Sequence, residues 1–157
     1  MGGVCLAAYC GLRWNATDSV PIGLYRLTDA AHGSYISFCL TGPYGVLAND
    51  RGYRERSIAC PDGFAPLVKP IVARTGDVVT VSHWGISVNG TLLKSSIAAK
   101  QDGRGRSLSA MSDGTYQVAP GTIWVISTYN PMSYDSRYFG PISLPRIISY
   151  ARPAWTF

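Results

Sequence analysis

Glycine and proline interrupt this sequence at short intervals from end to end, 17 of one and 10 of the other in 157 residues. Both weaken helix interiors, glycine through backbone entropy and proline through its missing N–H and its ring. Between the interruptions lie short apolar runs rich in Val, Ile, Tyr and Trp. Runs of that length and composition favour strands over helices. The chain is therefore expected to be mostly β. It is long enough to bury the core of one domain without help from a metal.

The pattern predicts a strand near residues 35–40, another over 67–73, and a tight turn at Thr75-Gly76-Asp77 feeding a third over 78–81. Residues 84–93 read as a hairpin, because Asn89-Gly90 is a favoured two-residue turn between strands. Residues 94–114 are polar and glycine-rich and read as one long loop insertion. Further strands are expected over 116–118 and 123–127. The tail from Leu144 to Phe157 reads as a turn of helix and a last strand, and residues 41–65 as irregular.

The formal charge is +5, yet Arg13, Arg26, Arg51, Arg54, Arg56, Arg104, Arg106, Arg146 and Arg152 are spread over the chain. A nucleic-acid reader concentrates its basic residues on one element of a recognisable module, so no nucleic-acid partner is expected. Asp102-Gly103-Arg104-Gly105-Arg106 is not followed by Gly-Lys-Ser and reads as a solvated loop, not a phosphate-binding one. The apolar segment at residues 4–12 is far short of the ~20 residues a membrane helix needs. With no Lys or Arg ahead of it, it also lacks the charged start of a signal peptide. Residues 1–14 are read as the stub of a membrane anchor or an interfacial segment, and residues 15–157 as a single domain. Cys39 and Cys60 flank a polar stretch; paired, they would close a loop of about 20 residues and add ~3 kcal/mol. Two buried free thiols are the equal alternative. Their spacing fits no zinc pattern, and His32 and His83 stand alone, so neither a metal nor a cofactor is expected.

Lys69 gives the chain a chemistry. It sits in Leu67-Val68-Lys69-Pro70-Ile71-Val72-Ala73, where strand alternation sets it between Leu67 and Ile71 on one face. Burial there disfavours the charged form and turns a lysine into a base nearer neutral pH. A serine hydroxyl is a weak nucleophile until such a base takes its proton. Ser19, in Thr17-Asp18-Ser19-Val20-Pro21-Ile22-Gly23-Leu24-Tyr25, is the candidate nucleophile. Pro21 biases Val20 away from helix and fixes the serine N–H as an oxyanion donor. Thr17, two residues earlier in an extended segment, points the same way, and its hydroxyl is the candidate second donor.

Near the C-terminus, Ser133-Tyr134-Asp135-Ser136-Arg137 reads as a strand with Ser133, Asp135 and Arg137 on one face. Ser133 would aim the lysine amine, while Asp135 and Arg137 would pair and brace the wall of the site. Pro70 cannot donate to a ladder, so the Lys69 strand is expected at an edge or with an open position, where an extended peptide can dock. Each segment alone is ordinary: a turn serine, a snorkelling lysine, a surface ion pair. Their joint occurrence in this order carries the reading.

That ordered set resembles the serine–lysine signal peptidases of the bacterial type I family, and within it the conjugative-transfer branch known as TraF. The resemblance runs from Asn15 to Phe157. Its first box is Asn15-Ala16-Thr17-Asp18-Ser19-Val20-Pro21-Ile22-Gly23-Leu24-Tyr25, and its second runs from Leu67 through Lys69 to Thr75-Gly76-Asp77. The third and most specific is Ser133-Tyr134-Asp135-Ser136-Arg137-Tyr138-Phe139-Gly140-Pro141-Ile142, and Val88-Asn89-Gly90 fits the family hairpin. The resemblance implies a signal-peptidase-like coiled β-sheet or partly open barrel. It also implies Ser19 as nucleophile, Lys69 as general base, Asp135 as an essential site residue, Thr17 as oxyanion contact and Ser133 as the group orienting the lysine.

By the same resemblance the chain would be a membrane-associated endopeptidase at the periplasmic face of the bacterial inner membrane. It would cut a pilin precursor and, as in some members, join the product's ends through the acyl-enzyme. Val20 stands where methionine is commoner, and Pro70 where general signal peptidases often carry Arg; both favour the conjugative branch. Two other readings stand beside this one. One is a self-cleaving regulator of the LexA type, against which no helix-turn-helix pattern precedes Ser19. The other is a catalytically silent β-domain that binds pilus or secretion components.

Overall fold

A computed structural model describes residues 11–157; the apolar start of the chain, with Cys5 and Cys10, lies outside the described residues. The strands are β1 Leu12–Asn15, β2 Gly23–Thr28, β3 Tyr35–Phe38, β4 Leu67–Ala73, β5 Val78–Ser82, β6 Gly85–Val88, β7 Thr91–Leu92, β8 Gly114–Gln117, β9 Thr122–Val125, β10 Ile142–Ser143 and β11 Ile147–Thr156. Among the described residues, two helices, α1 Gly42–Asp50 and α2 Ser136–Phe139, and a 3-10 turn at Leu144–Arg146 complete them. The strands form a seven-stranded sheet in the order β1-β2-β11-β3-β4-β9-β10 and a four-stranded sheet in the order β7-β6-β5-β8. Mostly β is what the sequence predicts, and both sheets stay open rather than closing into a barrel.

β9 joins the two cores. Ile123 and Val125 pack with Ile36, Phe38, Leu40, Tyr138 and Ile142 on one side. Trp124 and Ile126 pack with Ala73, Val79, Val81, Ile86 and Val118 on the other. A strand buried on both faces reads as an unbroken apolar run, as this one does. β4 has the bounds the sequence predicts. Its first half pairs with β3, Ile36 opposite Lys69, and its second half with β9, Ile71 opposite Val125. Pro70 sits at the handover. Among the described residues no strand pairs with residues 67–69 on the β9 side, so the open position expected from Pro70 exists inside the sheet rather than at its edge.

Several local signals translate directly. Asn89 and Gly90 both adopt positive φ, 50° and 81°, as the hairpin turn between β6 and β7 requires. Gly23 opens β2 at φ +150°, and a Cβ there would lie 2.2 Å from the Trp155 carbonyl oxygen, so the close approach of β11 requires a glycine. The insertion between β7 and β8 forms no strand of its own beyond an isolated Gln101–Ser107 bridge.

Other readings need correction. Residues 41–65 are not uniformly irregular, because Gly42–Asp50 is helical. Proline in its first turn marks the start. Its buried residues, however, are only Gly45 and Ala48, too small to print an apolar stripe of helical period in the sequence. Residues 12–14, grouped by sequence with the N-terminal segment, belong to the sheet, with Arg13 opposite Tyr25. Among the described residues no helix is long and apolar enough to cross a membrane.

Cys39 and Cys60 are bonded, with Cα atoms 5.7 Å apart, tying the end of β3 to the loop that follows α1. Of the two sequence alternatives, the disulfide holds. The bond closes a loop of 21 residues, so opening it returns chain entropy to the unfolded state. The Cys39→Ser/Cys60→Ser double variant is expected to lose about 3 kcal/mol in urea unfolding relative to the oxidised chain. An unchanged midpoint would show that the bond adds nothing to the fold.

Candidate active site

β4 points successive side chains to opposite sides of the sheet, and the two sides differ. Val68 faces an apolar cavity of about 270 Å³ lined also by Asn15, Tyr25, Ile36, Pro66 and Ala151. Leu67 and Lys69 face a second cavity of about 270 Å³, which Ser19, Ser133, Tyr53 and Asp102 also line. Neither His32 nor His83 lines this second cavity.

Lys69 is 2% exposed. Its Nζ donates to Ser133 Oγ at 2.6 Å. Burial pushes the amine down from 10.5 to about 8; the neighbouring Asp135 raises it, while Arg137 lowers it, and Asp18 raises it further off. Burial dominates because the two charges nearest the amine carry opposite signs.

Those two charges form one buried pair. Asp135 and Arg137 are both fully buried. Arg137 Nε donates to Asp135 Oδ1 at 2.8 Å and Nη2 to Oδ2 at 2.8 Å, a bidentate fork. The sequence reading placed them on a strand face; instead Asp135 caps α2, its carboxylate accepting the Arg137 backbone N–H at 3.1 Å. Pairing survives the correction because residues at the start of a helical turn fold back toward the cap. Further Arg137 N–H groups reach the carbonyls of Ser133 at 2.9 Å, Pro131 at 2.8 Å and Ser95 at 3.1 Å.

Ser19 lies half-buried in the turn between β1 and β2. Residues 17–20 form a turn, not the extended segment expected from Pro21. Two groups hold this turn, Asn15 of the first box, to which the sequence assigns no role, and Ser127, which it does not single out. Asn15 Nδ2 donates to the carbonyls of Thr17 at 2.8 Å and Val20 at 3.2 Å. Ser127 Oγ donates to the Ser19 carbonyl at 2.6 Å, and the Ser127 N–H donates to Asp135 Oδ2 at 2.9 Å. Ser127 and Ser19 are 108 residues apart, and no local pattern signals such a contact.

The structure thus brings Ser19, Lys69 and Ser133 to one cavity, with Asp135 and Arg137 buried behind it. Thr17 stands apart: it is exposed, and its hydroxyl donates to Asn15 Oδ1 at 2.7 Å. An unprotonated Nζ that donates to Ser133 keeps its lone pair free for a hydroxyl proton. That arrangement suits general-base activation of a serine.

The site has a thermodynamic signature. Lys69 titrates at 10.5 when unfolded and at about 8 when folded. Between those values the unfolded chain holds more protons, so stability rises with pH across that window. Below pH 8 the buried ammonium costs about 3 kcal/mol. Lys69→Met is therefore expected to raise the unfolding free energy at pH 7 by about 2 kcal/mol, less than the full cost because Ser133 loses its partner. The gain should shrink as pH rises toward 10.5. Urea unfolding at both pH values measures it, and a gain that grows with pH would contradict the burial account.

Comparison with known proteins gives four findings. Residues 5–155 match the family model described as signal peptidase, peptidase S26. The plasmid transfer protein TraF of Escherichia coli is 35% identical over 156 residues, covering 96% of this chain and 87% of that protein. The conjugal transfer protein TraF of Agrobacterium fabrum is 33% identical over 163 residues, covering 99% and 89%. Among solved structures, a signal peptidase I of Enterococcus faecalis superposes with a TM-score of 0.42 at 18% identity, over 79% of this chain and 97% of that one.

Proposed function

The chain belongs to the signal peptidase family, peptidase S26, as a TraF-type member, and on that premise we propose that it is a serine endopeptidase with Ser19 as nucleophile and Lys69 as general base. The observation that carries the proposal is the Lys69 amine, buried, shifted toward neutral pH and bonded to Ser133 in the cavity that Ser19 lines.

The chemistry is acyl transfer. Lys69 Nζ takes the Ser19 proton as Oγ attacks the scissile carbonyl. The Ser19 N–H holds the oxyanion, joined by the Thr17 hydroxyl once it turns from Asn15 toward the substrate. Lys69 then returns the proton to the leaving amine, and an ester remains on Ser19. Water resolves the ester to an acid; an amine from the substrate's own chain would resolve it to a ring. Ser133 holds the amine throughout, and Asp135 and Arg137 support the cavity wall without transferring a proton.

An extended peptide fits this site. Laid along the unpaired side of residues 67–69, it would add a strand and send alternate side chains toward the Val68 cavity and the Lys69 cavity. The names of the relatives point to plasmid transfer, so the substrate proposed is a conjugative pilin precursor. The Cys39–Cys60 bond fits an oxidising compartment, consistent with work at the periplasmic face of the inner membrane.

The test is mass spectrometry of a co-encoded pilin precursor incubated with the protein, which reads both cleavage and ring closure. Ser19→Ala and Lys69→Ala are each expected to cut processing by roughly four orders of magnitude while melting cooperatively. Substantial processing by either variant would end the proposal.

Ser127→Ala, which releases the Ser19 carbonyl, is expected to lower kcat about a hundredfold through misplacement of the nucleophile. KM should stay close to that of the parent. A rise in KM alone would assign Ser127 to substrate binding instead.

A further inference from the structure

The wall of the Lys69 cavity opposite β4 is built by the insertion, and it is bonded far more heavily than a solvated loop needs. Residues 100–108 double back on themselves: the Leu108 N–H donates to the Lys100 carbonyl at 2.8 Å and the Asp102 N–H to the Arg106 carbonyl at 2.9 Å. The Asp102 carboxylate sits at the centre of this hairpin. Its Oδ1 accepts the backbone N–H groups of Arg104 at 2.9 Å and Arg106 at 3.0 Å. Its Oδ2 accepts Arg106 Nε at 2.7 Å and the Tyr53 hydroxyl at 2.5 Å. Burial raises the Asp102 carboxyl, but the bonds from Tyr53 and from the Arg106 and Arg104 amides outweigh it and hold it well below the usual carboxylate range.

These bonds dock the hairpin onto the chain after α1. Arg51 Nη1 donates to the Ser107 carbonyl at 2.9 Å, and Arg106 Nη2 to the Arg51 carbonyl at 3.1 Å. Once docked, Asp102, Gly103 and Leu108 line the cavity with Tyr53, facing Ser19, Lys69 and Ser133. The Tyr53 ring meets the Tyr134 ring at 5.3 Å, beside the serine that holds the amine.

We propose that Tyr53 and Asp102 are positioning residues: they fasten the 100–108 hairpin over the Lys69 cavity and keep water from the amine. The inference rests on the Ser19–Lys69 reading and adds to it what maintains the base. The ionisable groups around the amine are Asp135 and Arg137 at α2, Asp18 on the β1–β2 turn, Tyr134 beside Ser133, and Tyr53 and Asp102 on the hairpin side. Undocking the hairpin leaves the first three charges in place and changes hydration. Hydration favours the ammonium and removes base at neutral pH.

Lys94 and Lys100 are the only other lysines in the chain, so NMR titration of protein carrying lysine labelled with carbon-13 at Cε reads Lys69 directly. The wild-type amine is expected to titrate at about 8. Tyr53→Phe keeps the ring and the Asp102 charge and deletes one hydroxyl; it should raise the Lys69 midpoint by about one unit. Precursor processing at pH 7 should then fall about tenfold and recover at higher pH. Asp102→Asn should shift the midpoint the same way. A direct charge effect of Asp102 on the amine would move it the opposite way on neutralisation.

A Lys69 midpoint unmoved or lowered in Tyr53→Phe overturns the inference. So does lost processing that does not recover with pH, which marks mere damage to the fold. Tyr53→Phe decides the matter by itself if Asp102→Asn does not fold. The titration reads the wall, and processing by Ser19→Ala reads the dyad, so the two proposals fail separately.

Discussion

The site depends on a guanidinium taken wholly out of water. Arg137 is fully buried, and its N–H groups are met by both oxygens of Asp135 and by the carbonyls of Ser133, Pro131 and Ser95. Removing such a pair from water costs several kcal/mol per ion, and only full satisfaction of its donors offsets that. Satisfaction fixes position here. The insertion is held at Ser95 and the loop before α2 at Pro131 and Ser133, while Asp135 takes the Ser127 N–H, whose hydroxyl holds Ser19. Both halves of the site hang from one ion pair, Ser19 through Ser127 and Lys69 through Ser133.

The pair also explains how an amine beside a carboxylate titrates below its ordinary range. Asp135 alone would stabilise the ammonium, and Arg137 acts on Lys69 in the opposite sense. With the two charges forked together their effects on the amine largely cancel, and burial decides the outcome. An aspartate without its arginine would keep the Ser127 amide anchor, lose those at Ser133, Pro131 and Ser95, and spoil the proposed base. The geometry therefore needs both residues, and the electrostatics need Arg137.

Local signals in the sequence reach some of this and not the rest. The bounds of β4 and the Asn89-Gly90 turn follow from short patterns, because strand alternation and turn chemistry act over a few residues. The contact between Lys69 and Ser133 spans 64 residues and is expected only from the joint occurrence of separated segments. Helix α1 escapes because Gly45 and Ala48 are what it buries, and α2 because a four-residue helix has no period to show. Ser127 and Tyr53 escape for another reason: their partners lie 108 and 49 residues away, and Ser127 reads only as the end of a strand and Tyr53 only as part of a polar stretch. Pro21 argues for an extended segment at Thr17, but Asn15 bonds across residues 17–20 and folds them into a turn.

The proposed nucleophile and base are held by different kinds of structure. The Ser19 turn is clamped from within its own segment by Asn15 and by the Tyr25 hydroxyl on the Pro21 carbonyl at 2.7 Å, and from outside it by Ser127 and by β11 against Gly23. Lys69 is enclosed by elements drawn from across the chain: β4 itself, the loop before α2, Tyr53 after α1, and the hairpin of the insertion. Local clamps form early and tolerate change elsewhere, whereas an enclosure made of distant segments closes only when the whole fold is in place. On this account the long insertion acts less as an appendage than as the last wall of the site.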